Sequence, residues 1–398
     1  MAEAARETWI TGVGIVSCLG EGEEMHWRGL NAAPPPPDGT TFAPYFVHRL
    51  APIELDKQIP KKGDQRQMEP WQRIGTYAAG LALESAGAKG NAELLARMDM
   101  IVAAGGGERD ESVDAGILSG MKTAERAGAF LNERLMSDLR PTLFLAQLSN
   151  LLAGNISIVH GVTGSSRTFM GEEGAGVDAV RIAHARIEAG QSEIALVGGA
   201  HNGERREQLL LYGAGGHSLK DTFAPVWERV GRGGGMALGS LGAFLVLEER
   251  AHAQARQAKP LATLAAVRSG RNKRSPGDTA AALAQMWQDL GTRLTSEGVA
   301  VISGASGAEP ATSEERAFLA SLGGIPVRAT GTYLGHGFEP QFAMNIALAT
   351  LALRHGKLFP PGDSSGVERP MAGDLAQVVV TGVGHWRGEG MALIRRAR

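Results

Sequence analysis

The chain has 398 residues, 43% of them hydrophobic, and its 40 basic and 42 acidic side chains leave a formal charge of −2. That balance supplies no net field toward nucleic acid or an anionic membrane, no apolar run reaches the roughly 18 residues of a membrane span, and the length suggests about two to three domain-sized units. A single cysteine, Cys18, rules out an internal disulfide and suits a reducing compartment, and the acidic start "MAEAARETWITGVG" leaves no room for a signal peptide, so a cytoplasmic protein is expected.

Short apolar runs ending in glycine alternate with longer periodic stretches, which is α/β grammar. "TWITGVG" (8–14) is the first predicted strand, and Cys18 in the turn after it reads as a small buried hydrophobe. "APPPPDG" (33–39) is a surface loop, 68–87 is a helix with apolar residues at three and four spacing, and "MDMIVAAGGG" (98–107) is a strand. "AGNISIVHG" (153–161) is taken as strand and turn, and "GVTGSSRTFMGEEGAG" (161–176) as strand, tight turn and helix start, the shape in which many enzymes hold a nucleophile. A helix over 175–190 and a strand over 193–200 follow.

"GRGGGMALGSLG" (231–242) has the letters of a phosphate loop, but "AFLVLEE" after it is strand-like, so close backbone packing in a hairpin is the better reading. Strands over 299–307 and 378–384 enclose a helix over 342–356 and the loop "KLFPPGDSSG" (357–366), whose G-x-S-x-G letters follow no strand. Continuous apolar strands of this kind suit a sheet covered on both faces. "IVAAGGGE" then "IALVGGAHNG" is echoed by "VISGASGAE" then "VVVTGVGHWRG", which either marks two copies of one unit or reflects ordinary strand-and-glycine composition. The ten histidines and one cysteine show no metal-ligand spacing, so no metal and no cofactor are expected.

Seven segments in order then resemble the β-ketoacyl-acyl-carrier-protein synthases, the condensing enzymes of fatty-acid synthesis: "WITGVGIVSCLGEG", "KKGDQRQMEPWQRIGTYAAGLALESAG", "AGNISIVHGVTGSSRT", "IEAGQSEIALVGGA", "GAFLVLEERAHAQAR", "LGHG" and "TGVGHWRGEG". The resemblance implies a thiolase-like α/β fold, five-layered αβαβα, from two related halves placed at 1–250 (with insertions) and 251–398 in one compact unit. It also implies a dimer, formed in part around "AGNISIVHG".

The same resemblance puts the nucleophilic cysteine at Glu173, counting back from Gly198 or forward from Gly164. The first of two imidazoles corresponds to His336. Ser303 stands where the second belongs, Gly331 replaces the expected lysine, Val383 replaces a gating phenylalanine, and His385 replaces that loop's final glycine. A carboxylate can act as a nucleophile, so Glu173 reads either as a nucleophile, as a decarboxylation aid beside His336, or as a carboxylate stabilised by a helix N-terminus and filling space. His336 is either functional or a relic.

Lys61, Lys62, Arg66 and Arg73 occupy the stretch with which the family docks its acidic carrier, and read equally as a solvated helix face; "RSGRNKR" (268–274) is a second basic cluster or a loop. The whole is most similar to cysteine-less subunits that pair with an active synthase, as chain-length factors do, and to the α-proteobacterial very-long-chain (lipid A) type. A non-condensing partner subunit binding acyl carrier protein and an active synthase, or a homodimer, is expected. The enzymatic alternative is an acyltransferase or malonyl-carrier decarboxylase using His336 and Glu173.

Overall fold

The structure is a computed structural model describing residues 6–139, 147–295 and 297–397. Its strands fall into two series. The first comprises β1 (Thr8–Ser17), β2 (Asp99–Ala103), β3 (Ser166–Phe169), β4 (Ile194–His201) and β5 (Leu241–Glu249). The second comprises β6 (Ala262–Gly270), β7 (Val299–Ser303), β8 (Val327–Ala329), β9 (Gln377–Val383) and β10 (Glu389–Arg396). They run side by side in the order β8-β7-β9-β10-β6-β1-β5-β4-β2-β3.

Numbering each series from its own first strand gives the order 3-2-4-5-1 twice. The pairing directions repeat as well: the second strand is parallel to the third and fourth, and the remaining neighbours are antiparallel. The two series meet through their first strands, Thr8 opposite Leu264 and Ile10 opposite Ala262. The internal echo in the sequence is therefore a repeat of topology.

Six helices cover the strands: α1 (Pro70–Ser85), α2 (Leu151–His160), α3 (Glu172–Glu188), α4 (Asp278–Leu290), α5 (Ala311–Ser321) and α6 (Gln341–Arg354). Side chains alternate across a strand, and here the alternation sorts residues into three apolar layers. Ile101, Val197, Leu245, Ile302, Val380 and Ile394 face the inner helices α3 and α6. Their neighbours Val102, Leu196 and Val246 face α1 and α2, while Val301, Val379 and Leu393 face α4 and α5. Both faces of the central strands are buried, which is why they read as unbroken apolar runs. The layers are helix, sheet, helix, sheet, helix, the thiolase-like αβαβα arrangement.

One element differs from the sequence reading. "AGNISIVHG" lies in the helix α2, not in a strand, because Leu152, Ala153 and Ile156 recur at helical spacing and pack on the α1 layer; its β-branched residues gave the opposite local signal. The sheet instead ends at β3, with Ser166 and Arg167 exposed. No helix among the described residues is long and apolar enough to cross a membrane.

Candidate active site

Glu173 sits in the first turn of α3, directly after the turn that leaves β3. Two backbone features place it there. Gly171 adopts φ 127° and Glu172 φ 54°, a conformation costly for a non-glycine residue. Gly176, one turn further on, lets α3 approach the segment before α6: a Cβ there would lie 2.2 Å from the Glu339 carbonyl oxygen.

His336 is delivered from the other half by the turn before α6. The segment with phosphate-loop letters holds it in place: the His336 amide donates to the Ala237 carbonyl at 2.8 Å, and the Gly239 amide donates to the His336 carbonyl at 2.9 Å. Close approach explains the glycine, since a Cβ on Gly239 would meet the Leu334 oxygen at 2.0 Å. This segment is no hairpin, because Leu238–Gly239 pairs in parallel with Val47–His48. The expected close packing is present, but with a distant partner.

Glu173 is 5% exposed, and three donors converge on its Oε1. His336 Nε2–H donates at 2.7 Å, His385 Nδ1–H at 3.0 Å and the His385 amide at 3.2 Å. His385 Nδ1 also lies 3.3 Å from Oε2. Burial opposes charge on Glu173, but the hydrogen bonds and positive charge of His336 and His385 win and hold its carboxyl far below the usual range. Conversely, burial lowers His385, and Glu173 more than reverses this, so His385 stands above the usual imidazole value.

Rings enclose the cluster. Phe338, itself at φ 51°, packs edge-on to His336 and His385 and stacks on Tyr212. The Tyr212 hydroxyl donates to Glu172 Oε1 at 3.1 Å. Deeper in, burial pushes Glu339 up to about 7, with the charges of Glu173 and Glu172 adding to the effect. Outward, His217 bridges His385 to Trp386, which is 62% exposed.

The other sequence-derived positions do not join this cluster. Ser303 turns its hydroxyl to Glu315 Oε1 at 2.7 Å. At Gly331 a Cβ would lie 3.1 Å from Val226 Cγ2 and 3.2 Å from the Ala305 oxygen, so any side chain there would need these neighbours to give by a few tenths of an ångström. Val383 ends β9 and is buried. In the early basic stretch, Lys62 pairs with Asp56 and Arg73 Nε donates to the Gln65 carbonyl at 2.7 Å, while Lys61 and Arg66 are exposed. From "RSGRNKR", Arg274 folds inward: its Nη2 donates to the Gly384 carbonyl at 2.6 Å and pairs with Glu389 at 2.9 Å. It clamps the His385 loop and is not part of a free basic surface.

Sequence reasoning therefore identified Glu173 and His336 and named His385 only as a lost glycine. The two partners are 212 residues apart, and no local pattern joins them. The one available signal was that a histidine appears in the terminal loop just where a carboxylate replaces the expected cysteine. The fold also brings ligand atoms of Glu172, Glu173 and His385 within 4.8 Å of one another, a set able to hold a metal ion that spacing along the chain could not reveal. Direct hydrogen bonds already engage Glu173 and His385.

Residues 5–253 match the family model "Beta-ketoacyl synthase, N-terminal domain". The 3-oxoacyl-(acyl-carrier-protein) synthase 2 of Vibrio cholerae is 25% identical over 265 residues, covering 64% of this chain and 60% of that relative, less than two thirds of its length. The tetracenomycin polyketide synthase ketoacyl synthase beta subunit of Streptomyces glaucescens is 26% identical over 408 residues, 94% of this chain and 95% of that protein. Among solved structures, the ishigamide ketosynthase/chain length factor superposes with a TM-score of 0.81 at 20% identity, covering 99% of this chain and 100% of that chain. With the family model spanning more than half of the sequence, the chain belongs to the β-ketoacyl synthase family.

Proposed function

We propose that this protein is a non-condensing β-ketoacyl synthase homologue that pairs with an active synthase and shapes its acyl tunnel. One observation carries the reading: where condensation needs a thiolate beside imidazoles free to bind a thioester oxygen, a charged carboxylate stands in place of the thiolate and takes a hydrogen bond from His336, the one such imidazole present, and another from His385. Glu173 has no thiol to hold an acyl group, and its carboxylate already takes the His336 Nε2–H and His385 Nδ1–H that point into the site. Full-length similarity to a protein named a beta subunit supports the pairing, as does the exposed edge strand β3, which an adjacent subunit can extend. The carrier would meet Lys61, Lys62, Arg66 and Arg73, and the pair would act in the cytoplasm on fatty-acyl or polyketide chains.

The retained His336 beside Glu173 supports the enzymatic alternative, malonyl-carrier decarboxylation. A single experiment tests both. The chain is purified alone and with a cysteine-containing synthase from the same genome, and malonyl-carrier turnover is followed. Pairing, with condensation only in the complex, is expected; condensation or rapid decarboxylation by the isolated chain would overturn the proposal.

A further inference from the structure

We infer that His336 Nε2–H, His385 Nδ1–H and the His385 amide form a three-donor site for a single carboxylate oxygen, that Glu173 is its resident ligand, and that this ligand latches the 384–388 loop shut. The inference deepens the non-condensing reading and rests on it for its consequence.

Three donors between 2.7 and 3.2 Å of one oxygen is the arrangement that stabilises an oxyanion. Here the anion belongs to the protein. Two of the three donors belong to His385, so one donor depends on that residue being a histidine and two depend on its loop being closed. The closure is held from the far side as well. The Gly384 amide donates to the Gly388 carbonyl at 2.9 Å, making the loop tight, and Arg274 binds Gly384 at 2.6 Å and Glu389 at 2.9 Å. Charged and titratable groups facing His385 are Glu173, Glu172, Arg274, His217 and Tyr212.

Why a carboxylate and not a metal ion? The donors on Oε1 are N–H groups, and the cluster sits at the amino end of α3, where the helix field favours an anion over a cation. Glu173 and His385 are thus complementary changes: a carboxylate at 173 without donors at 385 would lose most of its compensation for burial, and a donor loop without the carboxylate would leave its N–H groups unpaired.

The test uses the isolated full chain with sodium formate as the one-carboxylate probe and sodium chloride at equal ionic strength as control. In Glu173→Ala the donors are vacated, and formate should raise the melting midpoint saturably by mass action. Native protein should not respond, nor should Glu173→Ala combined with His385→Gly. Loop position is read separately as acrylamide quenching of Trp386, taken as the difference from matched Trp386→Phe proteins. His385→Gly in the otherwise native chain should raise that quenching at least twofold, which keeps the test alive if Glu173→Ala does not fold. A formate response independent of His385, no response in folded Glu173→Ala, or unchanged quenching in His385→Gly would overturn the inference. None of these readouts depends on condensation or on a partner, so the latch and the partner role can fail separately.

Discussion

Glu173 on the inner helix α3 and Glu315 on the outer helix α5 are both buried glutamates, 5% and 0% exposed, yet they are driven in opposite directions. Glu173 is held far below the ordinary carboxyl range, its burial overcome by two imidazoles and an amide. Glu315 is pushed above that range, because burial dominates and its partners are only the hydroxyls of Ser303 and Thr381, with Oε2 left unpartnered. The lesson is that burial alone does not set the charge state; what the surrounding groups can donate does. One helix start holds a carboxyl pushed toward its charged form, and one helix interior holds a carboxyl that burial pushes toward its neutral form.

The largest effect should come from asking whether the anionic site can be turned back into a synthase. Glu173→Cys supplies the thiol but not the rest, since Ser303 is no imidazole and faces Glu315, and Gly331 carries no side chain at all. Each missing donor typically costs about 10² to 10³ in rate, so malonyl-carrier condensation should stay at least about 10³-fold below that of an intact synthase. Turnover within tenfold would mean that His385 serves in place of the histidine absent at 303.

The comparison itself is broken or sharpened by two matched amides. Glu173→Gln removes a charge that imidazoles compensate, and unfolding in denaturant should show a loss of about 1.5 to 3 kcal/mol, the range for hydrogen bonds to charged groups. Glu315→Gln replaces a carboxyl that burial pushes toward its neutral form and whose partners are hydroxyls, and should change stability by less than about 1 kcal/mol. Equal losses at both sites would refute the assigned difference in charge.

The smaller, graded effect is in pH. Glu173 has a folded pKa below its unfolded value of about 4.3, so its contribution is complete above that pH and is lost on acidification. His385 is raised, so its contribution is complete below about 6.5 and is lost as pH climbs through the folded value. Glu315, also raised, contributes fully below about 4.3 and its contribution is lost as pH rises. Stability of native protein minus that of Glu173→Gln should therefore shrink on acidification below pH 5, whereas the difference from Glu315→Gln should shift the opposite way. Parallel curves for the two variants would contradict the pairing described.

By itself the sequence determined the alternation of strands and helices, the glycine-terminated strands, the two-part echo and the position of Glu173. The first three are local or periodic signals, set by which faces must be apolar and where the backbone must turn, while the position of Glu173 followed from the family resemblance. It misplaced α2 because Ile156, Ile158 and Val159 have strand propensity, while the decision was made by packing on α1. Tertiary structure alone decided the site's character. It set Leu238–Gly239 beside Val47–His48 as a strap for His336, turned Ser303 onto Glu315, and drew Arg274 out of a basic cluster to clamp a loop. Above all it brought His385 onto Glu173 across 212 residues. Charge and hydrogen-bond geometry depend on distances of a few ångströms between groups far apart in the chain, and no periodicity encodes those distances.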